Sequence, residues 1–261
     1  MSEVLLVLDF PGRRDEARIS DLRLEEAGWK TEYLMSPPHS RAVRAREYAT
    51  ALAARYTGQA PRAVLAYCMA ASLAQELAAL ISPPGNPVPL FLYDGEPAHP
   101  AALRKAVRTV TAQVSGEDGA GPDGLDALLD DAVLTQRPEH AVDLIERHVV
   151  RSAAGFFRLE GFDDEMATDA ATTACGFYLD WLAHLVAAQN TDWPGWGGEV
   201  QHIRTPGHRA TTEWPGAAVT ENHVVDTDRN GLLVDPRTRD LTLSLLGPMV
   251  QDGKRRREGE A

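Results

Sequence analysis

The stretch Arg62-Ala-Val-Leu-Ala-Tyr-Cys68-Met-Ala-Ala-Ser-Leu-Ala-Gln-Glu-Leu77-Ala-Ala-Leu80 decides how the chain is read. Ala63–Tyr67 is an apolar run of strand length, and residues 70–80 are alanine- and leucine-rich, the composition of a helix. No turn-sized gap separates the two. Cys68 stands at the join, with Ala66 and Ala70 two positions to either side. This is the layout of a nucleophile elbow, a strand, a sharp turn and a helix, usually written G-x-S-x-G. The flanking residues must be small because the turn is tight. The side chain at the join is pushed out beyond the sheet, and the N–H of the next residue, Met69, faces the place where an oxyanion would form. Here cysteine replaces serine and alanine replaces glycine. The plainer reading is a cysteine buried as a small hydrophobe.

Working outward, Val4–Phe10 is a continuous apolar run, expected as a buried parallel strand followed by a loop at Pro11-Gly12. Asp21–Gly28 reads as a short amphipathic helix, Thr31–Leu34 as a second strand, and Arg41–Tyr56 as a helix with Ser40 as its cap. After the elbow helix, Ser82-Pro-Pro-Gly-Asn-Pro87 is a break, and Val88–Tyr93 is a further strand ending at Asp94-Gly95. Strands alternating with helices imply a parallel sheet with right-handed crossovers. Function in such sheets collects at the carboxyl ends of strands. Cys68 and Asp94 both lie at such ends.

From Glu96 to about Asn190 the pattern is helical, with candidates at Pro100–Ala112, Leu125–Leu134, Ala141–Ala154 and Asp164–Ala188. The division expected is a core of residues 1–95 and 198–261 with a helical lid insert at 96–197. Phe177, Tyr178, Trp181 and Leu182 recur at helical spacing. Ordinary core packing explains such a stripe, but in a lid Phe177 and Trp181 could line a channel for an apolar chain. Trp193-Pro-Gly-Trp196-Gly-Gly198 is a loop and a candidate for the channel entrance. Strand character returns at Gly198–Thr205. Thr220-Glu-Asn-His223 follows a loop, Val224–Val234 suggests a hairpin around Asn230-Gly231, and Asp240–Val250 a closing helix.

Composition excludes several classes. The chain has 261 residues, enough for one large domain or one domain and an insert, and a formal net charge of −12, which disfavours nucleic acid. No apolar run reaches membrane-spanning length, and two cysteines far apart suggest neither a disulfide framework nor a zinc site. The expectation is a cytoplasmic protein with no metal or redox cofactor. The loop after the first strand lacks a glycine-rich phosphate fingerprint, so nucleotide chemistry has no support.

A cysteine nucleophile needs a base, and the base an orienting acid. Asp94 is the candidate acid, although a strand-end turn residue before Gly95 is the simpler role. His223, placed after the last candidate strand, is the candidate base, with His208 as its rival. His184 and His202 lie within a helix and a strand. Asp226 and Asp228 suit a turn, and Asp9 a strand end. The oxyanion donors would be Met69 and the loop near Gly12 or Arg13.

These residues resemble a thioesterase of the polyketide and nonribosomal-peptide kind, in the α/β-hydrolase superfamily. The likeness is carried by Val7-Leu-Asp-Phe-Pro-Gly12, by the elbow and its helix from Val64 to Leu77, and by Leu90-Phe-Leu-Tyr-Asp94. It covers roughly the first 95 and last 65 residues. With cysteine at the elbow, an early aspartate and a late histidine, the chain is similar to the Dieckmann cyclases of tetramate and pyridone biosynthesis. That resemblance implies an α/β-hydrolase fold with a mostly parallel sheet and a helical lid, with Cys68 as nucleophile, Asp94 as orienting acid and His223 as base. The substrate implied is a β-ketoacyl-aminoacyl thioester on the phosphopantetheine of a carrier protein, released as a tetramic acid. A hydrolytic thioesterase and a hydrolase-like carrier-binding scaffold remain the alternatives.

Overall fold

The computed structural model describes residues 4–10, 17–116, 129–208 and 213–247. Six strands form one sheet: β1 (Val4–Leu8), β2 (Lys30–Tyr33), β3 (Ala63–Tyr67), β4 (Leu90–Tyr93), β5 (Glu199–Arg204) and β6 (Val219–Val224). Their spatial order is β2-β1-β3-β4-β5-β6, and every neighbouring pair is parallel. β3 and β4 are buried along their whole length, as continuous apolar runs in a sheet covered on both faces should be. The edge strands β2 and β6 are mostly exposed or half-buried.

The period of two along each strand sorts the core. Leu6, Leu8, Val64 and Ala66 face one way, onto α1 (Ala45–Ala53) and α2 (Ala70–Ile81). Leu5, Val7, Leu65 and Tyr67 face the other, onto Ile19, Leu22, Leu232 and Leu246. Among the described residues, four helices lie between β4 and β5: α3 (Pro100–Ser115), α4 (Asp131–Gln136), α5 (Pro138–Leu159) and α6 (Asp164–Gln189). They enclose an apolar core of their own, including Leu103, Val107, Ile145, Val149 and Leu182. The last helix among the described residues is α7 (Pro236–Leu246). Among the described residues, no helix is long and apolar enough to cross a membrane.

Several elements differ from expectation. Residues 21–28 form two 3-10 turns rather than one helix, because Arg23 between them adopts a left-handed conformation (φ 48°) and Ile19, Leu22 and Leu24 are buried off the 3.6-residue period. α1 starts at Ala45, and Ser40 accepts the Ala42 N–H instead of capping the helix. Among the described residues β6 has no returning hairpin partner: Asp228 accepts the Gly231 N–H in a turn, and Leu232 and Leu233 are consecutively buried against the sheet. The Trp193–Gly198 loop lies away from the cavity described below. Trp196 Nε1 donates to the carbonyl of Val88 before β4, and Trp193 packs edge-on against Trp214. Of the Leu125–Leu134 region, the described part is helical from Asp131 on, within α4 (Asp131–Gln136).

Two polar residues buried on α2 anchor this loop region. Gln75 donates to the carbonyls of Pro194 and Pro215 and accepts from Trp214 Nε1, while Glu76 Oε1 accepts from Thr191 and from the Asp192 N–H. Gln75→Leu leaves these three groups without partners. At roughly 1–3 kcal/mol for each buried group left unsatisfied, it is expected to destabilise the fold by about 3 kcal/mol or more, read as a lowered midpoint in urea unfolding with an unchanged slope.

Candidate functional site

β2 and β3 leave β1 on opposite sides, so the sheet reverses its winding between β1 and β3. Ligand crevices in open α/β sheets form beyond the carboxyl ends at such a point. Phe10 follows β1, Cys68 follows β3, and Asp94 to Glu96 follow β4. Cys68 is held in the left-handed region (φ 55°), a conformation that strains a non-glycine residue. Three backbone bonds keep it there. Its N–H donates to the Tyr93 carbonyl, and its own carbonyl accepts from Ala71 and Glu96. The tightness of this corner explains the alanines: Ala66 is fully buried and Ala70 nearly so.

The β4 turn is folded over the elbow. Asp94 is also left-handed (φ 40°), and a Cβ on Gly95 would sit 2.9 Å from Leu92 Cβ, so the turn passes too close for any larger residue without a shift. The consequence is to place Glu96 Oε1 3.4 Å from Cys68 Sγ. On the other side, Arg229 Nη2 lies 2.8 Å from the sulfur, and its Nε donates to the Tyr67 hydroxyl at 3.0 Å. The guanidinium also lies over the Tyr67 ring, 5.5 Å from its centre. Burial pushes the Cys68 thiol up to about 12. Arg229 opposes that rise, the Glu96 carboxylate adds to it, and the Met69 N–H works against it. Cys68 is therefore a neutral thiol at pH 7, donating to a carboxylate and accepting from a guanidinium.

The expected acid and base are elsewhere engaged. Asp94 is buried, and its carboxylate accepts from the Thr205 N–H at 2.9 Å and from the Thr205 hydroxyl. His208 Nδ1 is 3.7 Å from Asp94 Oδ1, but its Nε2 is bonded to the Gly95 carbonyl, so His208 braces the β4 turn. His223 lies within β6, in register with Ile203, and its Nε2 bonds Gln201 Oε1 at 2.7 Å. The structure thus brings His223 to neither Cys68 nor Asp94. Among the described residues, the hydrogen-bond partners of the Cys68 side chain are Glu96 and Arg229. The loop after β6, where residue order called for a histidine, presents Arg229 instead. His202 is buried within β5 against His208 and Trp214, and Asp9 accepts from the Ile19 N–H. Met69 is in place at the start of α2, whereas Gly12 and Arg13 lie outside the described residues.

Glu96 and Arg229 were not singled out in the sequence. The available signal was position: both fall within a few residues of a strand's carboxyl end.

Beyond the sulfur opens a cavity of about 690 Å³, walled by α6, α3 and Phe10. Phe177, Trp181, His184 and Leu185 present one face of α6 to it; Ala102, Ala106 and Thr109 come from α3. The size and the mixture of aromatic walls with a few polar groups fit a small-molecule or acyl-chain site.

No known protein-family model matches the chain. No curated protein sequence matches it either. Among solved structures, the covalent complex of the NocB thioesterase domain with a fluorophosphonate nocardicin G analogue superposes with a TM-score of 0.52 at 16% identity, covering 95% of this chain and 96% of that one. The NocB thioesterase domain from the nocardicin cluster gives 0.50 at 16% identity, covering 95% of each chain. A Pseudomonas aeruginosa protein assigned as an epoxide hydrolase gives 0.51 at 13% identity, covering 93% of this chain and 88% of that one. Together with the six-stranded parallel sheet, these likenesses show an α/β-hydrolase fold.

Proposed function

We propose that the chain takes an acyl group from a carrier-tethered thioester onto Cys68 and releases it by Dieckmann cyclisation, as a tetramic acid. The observation that supports this reading is the sulfur's setting: an elbow cysteine at an aromatic-walled cavity, between the Glu96 carboxylate and the Arg229 guanidinium. Glu96 takes the thiol proton as sulfur attacks the thioester carbonyl, and it passes that proton to the departing carrier thiol, which restores its carboxylate. One thioester replaces another at little thermodynamic cost. The Met69 N–H lies at the start of α2, where a helix end favours the developing negative charge.

In the second step the methylene between the ketone and the amide loses a proton to Glu96. Two flanking carbonyls make this C–H far more acidic than water, so a carboxylate suffices as its base. The Arg229 charge stabilises the enolate. The carbanion attacks the acyl-Cys68 carbonyl, a five-membered ring closes, the C–S bond breaks, and the proton on Glu96 returns to sulfur. The apolar walls exclude the water that would otherwise compete.

The guanidinium in the loop after β6 also favours a second reading, a scaffold that binds a carrier-borne chain without turnover. The two separate on one experiment. Purified protein is given a synthetic β-ketoacyl-aminoacyl thioester with a small thiol leaving group, and products are weighed by mass spectrometry. A product one water lighter than the free acid is expected. Free acid alone would indicate hydrolysis, and recovery of intact thioester with no adduct on Cys68 would indicate the scaffold.

A further inference from the structure

Glu96 must present its carboxylate to Cys68, yet it follows Gly95, the residue type with the softest backbone dihedrals. The peptide unit joining the two is trans and is held from both sides. Its N–H, that of Glu96, donates to the Cys68 carbonyl at 3.3 Å. Its C=O, that of Gly95, bonds His208 Nε2 at 3.0 Å. A carbonyl oxygen only accepts, so Nε2 carries the proton. The two partners grip opposite edges of a planar unit, which cannot rotate without breaking one of the bonds.

His208 is itself anchored to the end of β5. Its N–H donates to the Thr205 carbonyl at 3.2 Å. Its Nδ1 lies 3.7 Å from Asp94 Oδ1, the oxygen that accepts the Thr205 N–H. The side chain is 6% exposed, with the His202 ring edge-on to it at 5.6 Å. The elbow therefore fixes one edge of the Gly95–Glu96 peptide, and the end of β5, through His208, fixes the other. We infer that His208 is a positioning residue for Glu96: by holding the Gly95 carbonyl it aims the carboxylate at the sulfur. The imidazole moves no proton in this role. The inference rests on the reading of Glu96 as the base at Cys68.

Two amides of different reach test it. His208→Gln places an N–H near the Nε2 position and can still donate to Gly95; the shorter His208→Asn places it near Nδ1 and cannot. Both remove the ring and any charge on it, so the hydrogen bond is what separates them. The first readout is the pH profile of Cys68 alkylation, which needs no substrate. Glu96 raises the thiol by its charge and by accepting the S–H, so a carboxylate that swings away lets the thiolate form at lower pH. His208→Asn is expected to shift the profile to lower pH by at least half the shift of Glu96→Gln. His208→Gln is expected to keep the wild-type profile, and His208→Ser, shorter still, to match His208→Asn. Combined with Glu96→Gln, His208→Asn is expected to add no further shift. The second readout is turnover of the synthetic thioester. His208 does not line the cavity, so the loss should fall on kcat with KM held. It is expected to be about a hundredfold in His208→Asn, the cost of misplacing a group by roughly an ångström. A wild-type profile in both His208→Asn and His208→Ser, equal shifts in His208→Asn and His208→Gln, or a His208→Asn shift that persists beside Glu96→Gln overturns the inference and leaves Glu96 as the base. A Glu96→Gln profile and turnover that match the wild type remove the base and this inference together.

Discussion

Cys68→Ser is expected to abolish ring closure, with product falling by more than about three orders of magnitude in a discontinuous mass-spectrometric assay. Two effects combine. A serine hydroxyl is far less acidic than a thiol, and the groups at its position would be Glu96 and Arg229, with no imidazole bonded to the side chain. A carboxylate activates such a hydroxyl poorly. Any oxoester that did form is a weaker electrophile toward carbon than the thioester it replaced. Cys68→Ala removes the nucleophile and should be at least as severe. Retention of even a tenth of the wild-type rate in Cys68→Ser would show that the sulfur is not the acyl carrier.

Glu96→Gln is expected to lower the rate by about two to four orders of magnitude, the range for loss of a general base. The same variant makes an opposite prediction for reactivity with an alkylating agent, and this separates a base from a structural prop. Glu96 raises the Cys68 thiol both by its charge and by accepting the S–H. With that influence gone the thiolate forms at lower pH, so the alkylation profile of Glu96→Gln shifts to lower pH than that of the wild type. Arg229→Met removes an influence that lowers the thiol, and its profile shifts to higher pH. A carboxylate that merely held the turn would slow both reactions together. An unchanged turnover in Glu96→Gln would remove it from the chemistry.

The sheet is legible in the sequence where packing dictates the residue type. β1, β3 and β4 are buried between two helical layers, and their apolar runs at Val4–Leu8, Ala63–Tyr67 and Leu90–Tyr93 announce them. The elbow is legible for the same reason, since a corner with no room forces Ala66 and Ala70 to be small. The edge strand β6 carries Thr-Glu-Asn-His and buries almost nothing, so neither its extent nor the path of the chain after it has a pattern. The sequence therefore places His223 after the last candidate strand, whereas it lies in β6, bonded to Gln201.

Glu96 and Arg229 illustrate a different limit. Each sits in a polar turn, Asp94-Gly95-Glu96 and Asp228-Arg229-Asn230, where a charged side chain looks like a solvated one. Their meeting at one sulfur is set by strand order, because β3 and β4 are neighbours while the loop after β6 folds back across the sheet edge. Asp94 shows the reverse. Its place at a strand end is plain from sequence, but its carboxylate is committed to Thr205, which follows β5. The stripe of Phe177 and Trp181 was open to either core or channel, and the structure puts both on the cavity wall.

The central claim is an acyl group held on Cys68 away from water until a carbanion displaces it. Its most direct test is intact-protein mass spectrometry after exposure to a thioester whose central methylene carries two methyl groups. Such a chain can acylate the sulfur but has no proton to lose there, so the ring cannot close. The account predicts a mass gain of one acyl group on the wild type, stable over many turnover times and absent in Cys68→Ala. Steady release of free acid with no lasting adduct, or an adduct of equal yield in Cys68→Ala, would contradict it.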